Sequence, residues 1–160
     1  MKQLWAPWRI EYILSKKTDE CIFCEYPLKD EDRQSLILYR GRLCYVIMNK
    51  YPYNNGHLMA VPYRHVSSIT GLDDETLSEL MNIARLAVSC LAKAMRPEGF
   101  NTGINIGKAA GAGIDEHLHM HIVPRWTGDS SFMAVLDEVR VIPEHLLATY
   151  DKLHPLFNKK

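Results

Sequence analysis

The chain has 160 residues, 47% of them hydrophobic and 24% charged, which suits one ordinary domain and excludes disordered, collagenous and coiled-coil classes. Nineteen basic residues balance nineteen acidic ones, so no overall field draws the chain onto a nucleic acid polymer or an anionic membrane, and any anion must be held by a local site. No apolar run approaches the roughly 20 residues that span a bilayer, and the start MKQLWAPWRIEY is too aromatic and charged for a signal peptide, so a cytoplasmic protein without membrane contact is expected.

Residues 35–39 (SLILY) and 43–49 (LCYVIMN) are β-branched and aromatic runs around Arg40-Gly41-Arg42, the pattern of a hairpin with glycine at its turn. A third strand over 57–62 follows Asn54-Asn55-Gly56, a tight-turn signal, which predicts an antiparallel meander. From Asp73 the period lengthens: Leu77, Leu80, Met81, Ala84, Ala87, Val88, Leu91, Ala94 and Met95 recur at three and four residues. This is one long amphipathic helix, capped by Asp73 or Asp74 and stopped after Arg96 by Pro97 and Gly99. Strands over 100–106 and 117–123 follow, separated by Gly107-Lys108-Ala109-Ala110-Gly111-Ala112-Gly113. Pro143 fits the first turn of a C-terminal helix that carries Leu146, Leu147, Tyr150 and Leu153 on one side. With no repeat or linker, the order predicts a single α+β domain over 1–160 with a largely antiparallel sheet.

The segment His117-Leu118-His119-Met120-His121 carries three histidines at spacing two. On a strand such residues share one face, with Leu118, Met120 and Ile122 on the other. Adjacent imidazoles resist joint protonation, so some are held neutral, and a neutral imidazole serves as nucleophile, base or metal ligand. Successive backbone N–H groups in the glycine-rich segment can cradle phosphate oxygens, with Lys108 adding charge, which tilts the reading toward attack on phosphorus. The segment is nevertheless not a P-loop, since Ser or Thr does not follow Lys108, and it lacks the third glycine of a dinucleotide fingerprint.

Cys21-x-x-Cys24 supplies two thiols that suit one tetrahedral metal, but this is half a site. A redox dithiol or a pair of inert reduced thiols remains open; Glu20 and Glu25 beside the pair do not favour a lowered thiol pKa. Cys44 and Cys90 sit in apolar patterns and read as core residues. Trp5, Trp8 and Trp126 read as packing residues, while Asp115, Glu116 and the terminal Lys159-Lys160 read as solvated.

His117-x-His119-x-His121-Ile122-Val123 resembles the signature of the histidine-triad superfamily of nucleotide hydrolases and transferases. Gly56-His57-Leu58-Met59-Ala60-Val61-Pro62 is similar to the strand of the family's fourth histidine, and Cys44-Tyr45-Val46-Ile47-Met48-Asn49 to its ribose-binding strand. The likeness covers residues 20–126, leaving an N-terminal extension over 1–20 and a C-terminal segment and helix over 127–160. Leu4-Trp5-Ala6-Pro7-Trp8-Arg9 and Pro124-Arg125-Trp126-Thr127-Gly128-Asp129 resemble the bacterial diadenosine tetraphosphate phosphorylase branch.

The resemblance implies a five-stranded antiparallel sheet paired across a homodimer, and an enzyme acting on the α-phosphate of dinucleoside polyphosphates. It implies His119 as covalent nucleophile, His121 as its partner at the phosphate and His57 as support for the nucleophile's tautomer. Asn49 would hold the ribose, Ile22, Phe23 and Ile47 the base, and Asn105, Gly111, Gly113 and Ile114 the phosphates. Cys21, Cys24, His65 and His117 would hold a structural zinc ion, as in zinc-containing members. Hydrolases of the family commonly place Gln and then Ser or Thr where this chain has Gly113 and Ile114. That departure favours inorganic phosphate as acceptor over water. A nucleoside phosphoramidate or diadenosine polyphosphate hydrolase and a nucleotide-binding regulatory protein are the other expectations.

Overall fold

Five antiparallel strands in the order β1-β2-β3-β5-β4 form one sheet in the computed structural model, which describes residues 20–129 and 142–158. The strands are β1 (Ile37–Arg40), β2 (Cys44–Met48), β3 (Leu58–Pro62), β4 (Gly99–Ile104) and β5 (Met120–Arg125). The helices are α1 (Ile22–Glu25), α2 (Asp32–Ser35), α3 (Asp74–Met95) and α4 (Leu146–Phe157). Leu4–Arg9 with Trp5 and Trp8, and Lys159-Lys160, lie outside the described residues. No helix among the described residues is long and apolar enough to cross a membrane.

The predicted meander is present, and its two turns are fixed differently. Gly41 lies where an added Cβ would come within 2.6 Å of the Glu79 carboxylate and 2.7 Å of the Cys44 carbonyl, so only glycine fits. Glu79 Oε1 in turn accepts the Leu43 and Cys44 N–H groups at 2.7 and 3.0 Å, tying the β1–β2 turn to α3. Gly56 has φ +76°, the left-handed region glycine enters without strain, and closes the loop before β3.

Alternation along β2 places its two coverings. The Cys44 thiol reaches the Thr76 carbonyl of α3 at 3.8 Å, whereas the next residue's hydroxyl, on Tyr45, donates to the Phe23 carbonyl of α1 at 2.8 Å. The long helix and α1 therefore cover opposite faces, and β2 and β3 are buried throughout. Strand register carries the α1-side row across the sheet, since Ile47 opposes Met59, Met59 opposes His121 and His121 opposes Gly103.

Several predicted boundaries move. Strand β1 begins at Ile37 and not at 35, because Ser35 ends α2 and Leu36 turns the chain with φ 63°. Strand β4 ends at Ile104 and not at 106, and β5 begins at Met120, so His117 and His119 precede the strand. The long helix has the predicted Asp73 cap, whose carboxylate accepts the Thr76 N–H at 2.8 Å, and ends at Arg96 in the left-handed conformation. Met81 is 57% exposed, one position beyond the buried stripe, while Ile83 and Cys90 are buried. Pro143 is not in the first turn of α4: the helix starts at Leu146, where the His145 ring caps the Leu147 N–H. Tyr150 then ties α4 to β1 by donating to the Ile37 carbonyl at 3.0 Å.

Candidate functional site

Four imidazoles, those of His57, His117, His119 and His121, are buried side by side at the junction of β3 and β5. Their tautomers are assigned from backbone partners. His119 Nδ1 lies 2.8 Å from the His117 carbonyl, which only accepts, so the proton sits on Nδ1 and the lone pair on Nε2. The Tyr53 backbone N–H donates to His57 Nδ1 at 3.0 Å, which puts the His57 proton on Nε2. That N–H faces His121 Nδ1 at 2.9 Å, so His121 in turn carries its proton on Nε2. A nucleophile-ready lone pair and a proton donor thus stand on neighbouring rings whose centroids are 4.8 Å apart.

Burial pushes both His119 and His121 below the ordinary histidine range, and a charge on His119 would push His121 further, to about 4. Both rings are neutral near pH 7. His57, expected to support the tautomer of the nucleophile, does not bond to it. The bond it makes is to His121, because it lies just before β3, two residues from Met59, the strand partner of His121, and the His117 carbonyl performs the task for His119.

His117, which shares the Phe23 ring with His119, is engaged with different partners. Its Nε2 donates to the Pro62 carbonyl at 2.9 Å, which leaves the Nδ1 lone pair pointing at the Cys21 and Cys24 sulfurs, 3.3 and 3.5 Å distant. His65 Nδ1 lies 3.3 Å from Cys24 Sγ, and one donor atom from each of the four residues falls within 4.8 Å of all the others. Tetrahedral bonds of about 2.3 Å to sulfur and about 2.0 Å to nitrogen set S and N about 3.5 Å apart, so the donor spacing fits a metal ion of zinc's size. Burial, and then the neighbouring Cys21, push the Cys24 thiol up, a cost that a cation between the sulfurs would reverse.

The other predicted site residues fall in two places. Phe23 is buried with its ring 4.9 Å from that of His119, Ile47 lies on the α1-side row, and Ile22 is half-buried beside them. Asn49 follows β2, and its Oδ1 accepts the Tyr51 N–H at 2.8 Å. Asn105 is half-buried just after β4, and the segment behind it forms a short turn over Lys108–Ala110 bounded by Gly107 and Gly111 with φ 79° and 81°. Gly111 and Gly113 are exposed and Ile114 packs on the core. Lys108 stands in solvent with Asp115 3.8 Å away, so Asp115, expected to be solvated, is instead half-buried and offsets that charge. Tyr53, which the sequence reading missed, lays its ring 4.5 Å from that of His57 and 5.5 Å from that of His121. Its N–H role leaves no trace in residue type.

The sequence pattern of the HIT domain family matches residues 30–128. The chain is 40% identical over 158 residues to a protein named AP-4-A phosphorylase from Mycobacterium tuberculosis, an alignment covering 93% of this chain and 80% of that one. The fold is similar to that of a hypothetical histidine triad nucleotide-binding protein from Sulfolobus tokodaii, with a TM-score of 0.66, 28% identity and coverage of 86% and 89%. A Zn-bound histidine triad family protein from Mycobacterium smegmatis shares the fold at a TM-score of 0.68 and 24% identity, over 86% of this chain and 93% of that one. With the family pattern covering most of the chain and the triad itself in place, this protein belongs to the HIT domain family.

Proposed function

We propose that this enzyme cleaves dinucleoside polyphosphates by nucleotidyl transfer to His119, with inorganic phosphate as the final acceptor. The observation that carries the reading is the pair of opposed tautomers, a free Nε2 lone pair on His119 beside an Nε2–H on His121. His119 Nε2 forms a bond to the α-phosphorus of diadenosine tetraphosphate as the bond to the bridging oxygen breaks, and ATP leaves. His121 donates its hydrogen bond to the phosphate and eases departure. Phosphate then attacks the adenylyl-histidine, releasing ADP and restoring the imidazole. Phe23, Ile22 and Ile47 hold the base, Asn49 the ribose, and Asn105 with the backbone from Gly111 through Gly113 to Ile114 the phosphates.

The absence of Cβ atoms at Gly111 and Gly113, each with open space around it, supports room for a second anion beside the backbone N–H groups that follow Gly111, whose own N–H is donated to the Lys108 carbonyl at 3.0 Å. The name carried by the mycobacterial relative agrees with this. Zinc held by Cys21, Cys24, His65 and His117 belongs to the same proposal as a structural ion fixing α1 to the triad segment. A homodimer does too, with β4 at the sheet edge as its candidate seam.

The test is product analysis with diadenosine tetraphosphate, with and without phosphate, alongside rapid-quench trapping of labelled adenylyl-enzyme. ADP and ATP formed only with phosphate, and a label lost in His119→Ala while nucleotide binding survives, are expected. AMP and ATP at a rate indifferent to phosphate would make the enzyme a hydrolase. A His119→Ala variant with more than about a tenth of wild-type kcat would reject covalent catalysis there.

A further inference from the structure

The segment Pro124–Asp129 resembles one branch of the family and is bonded to the loop that leads into His57. Its structure shows a clamp. Gly128, with φ +81°, turns the chain so that Asp129 N donates to the Trp126 carbonyl at 3.0 Å and the Asp129 carboxylate folds inward. That carboxylate, its side chain 9% exposed, accepts Arg125 Nε and Nη2 at 2.6 and 2.7 Å and the Trp126 N–H at 3.1 Å. Its fourth donor comes from another element: Asn54 Nδ2, at 2.8 Å.

Asn54 sits in the loop between β2 and β3, and its polar side-chain atoms are fully engaged there. Nδ2 donates to Asp129 and to the Pro124 carbonyl of β5 at 3.1 Å, while Oδ1 accepts the Asn55 N–H at 3.0 Å. Two acceptors facing Nδ2 fix the orientation of the amide. The Asn54 carbonyl accepts the His57 N–H at 3.1 Å, and the preceding residue, Tyr53, aims its own N–H at His57 Nδ1.

We infer that Asp129 and Asn54 are positioning residues that fix the proton of His121, by holding the Tyr53 N–H against His57 through the chain Asp129–Asn54–Tyr53–His57–His121. The polarity of this chain is set at its start. With a donor pressed on Nδ1, His57 keeps its proton on Nε2 and His121 Nδ1 must accept. If the loop shifts and that donor is lost, both rings can reverse, and His121 then presents a lone pair in place of a proton to the phosphate. A charge-assisted anchor suits the task, since hydrogen bonds to a carboxylate are stronger than those between neutral groups. The effect on catalysis rests on the function proposed above; the effect on the tautomers does not.

The test combines long-range proton–nitrogen spectra of the imidazoles with steady-state kinetics on diadenosine tetraphosphate and phosphate, using the full chain. Wild type should show Nε2–H on His57 and His121. Asn54→Ala removes two donors while Asp129 keeps Arg125 and the Trp126 N–H, so it keeps the question answerable if the harsher Asp129→Asn does not fold. In either variant both rings should average between tautomers, and kcat should fall about tenfold or more with KM changed by less than about threefold. Thr127→Val cuts only the hydroxyl's bond to Glu98 in the same turn, leaving the Thr127 N–H on that carboxylate, and should keep wild-type spectra and kcat. Wild-type tautomers in Asn54→Ala overturn the inference whatever the activity does. Altered tautomers with unchanged kcat leave the clamp standing and refute instead the role given to His121.

Discussion

Acidification should unfold this protein in a way that His121 can be made to report. The ring is 8% exposed, and burial, with His119 as a second cause, pushes it down to about 4, against an ordinary histidine value of about 6.5. The folded-state value is lowered, so below about pH 6.5 the unfolded chain takes up a proton that the folded one refuses. Stability is therefore flat in this group above that pH and falls as pH drops toward 4. A gap of about 2.5 pH units at about 1.36 kcal/mol each costs about 3 kcal/mol in full, of which about 2 kcal/mol is lost by pH 5. Urea unfolding at intervals between pH 8 and pH 5 measures this. Comparison with His121→Asn, which cannot titrate, cancels what other groups and any bound metal contribute. The variant's stability should fall less steeply than wild type below pH 6.5, by about 2 kcal/mol at pH 5. Parallel curves, or a divergence that lies above pH 7, would refute the placement of a neutral, buried imidazole at this position.

Protein purified without chelators should carry close to one zinc per chain, and chelation should lower the melting temperature by upwards of about 5 °C; a Cys21→Ser variant that melts like wild type with no metal in either would refute the site. Gly41→Ala should cost about 1–3 kcal/mol in urea unfolding, because its Cβ meets the Cys44 carbonyl, Glu79 and Ile83; a change below about 0.5 kcal/mol would mean that the turn relaxes freely. Tyr45→Phe should cost about 1–2 kcal/mol by stripping the Phe23 carbonyl of its buried donor, and a neutral result would show that α1 is held by other contacts.

What the sequence made legible follows from where its signals come from. Period two along His117–His121 and the three-to-four spacing after Asp73 are properties of side chains facing a core, and they found the triad face and the long helix. The same spacing placed Met81 on the buried side, because a stripe of this width does not mark its own edge, and it passed over Ile83, while Cys90 is buried as its apolar surroundings indicate. Helices α1 and α2 have four residues each, too few to display a period, so the pattern of Cys21–Glu25 showed its thiols but no helix, and its place against His117 was implied by the family resemblance alone. The glycine-rich segment displayed its freedom in its residue types, while the ion pair that ties Lys108 to Asp115 depends on how the turn is folded. The largest gap concerns protons. Three of the four imidazoles at the site take their tautomers from main-chain groups, the Pro62 and His117 carbonyls and the Tyr53 N–H, and His121 takes its own from one of these three, His57; every residue carries those main-chain groups alike.

The same fact explains why two chemistries share five residues of chain. His117 spends Nε2 on Pro62 and offers Nδ1 to the thiols, so its ring is fixed from both ends, and its carbonyl, the acceptor for His119 Nδ1, is fixed with it. His121 receives its tautomer from the opposite side, through His57 and the β2–β3 loop. Were one partner to set both rings, the two would tend to carry protons alike. Two independent main-chain sources, one behind each ring, allow adjacent imidazoles to hold opposite polarity at the same pH. Transfer of a nucleotidyl group needs that opposition, since one ring must present a lone pair while its neighbour presents a proton. Spacing alone could bring these side chains to one face; the backbone on either side of them assigns the roles.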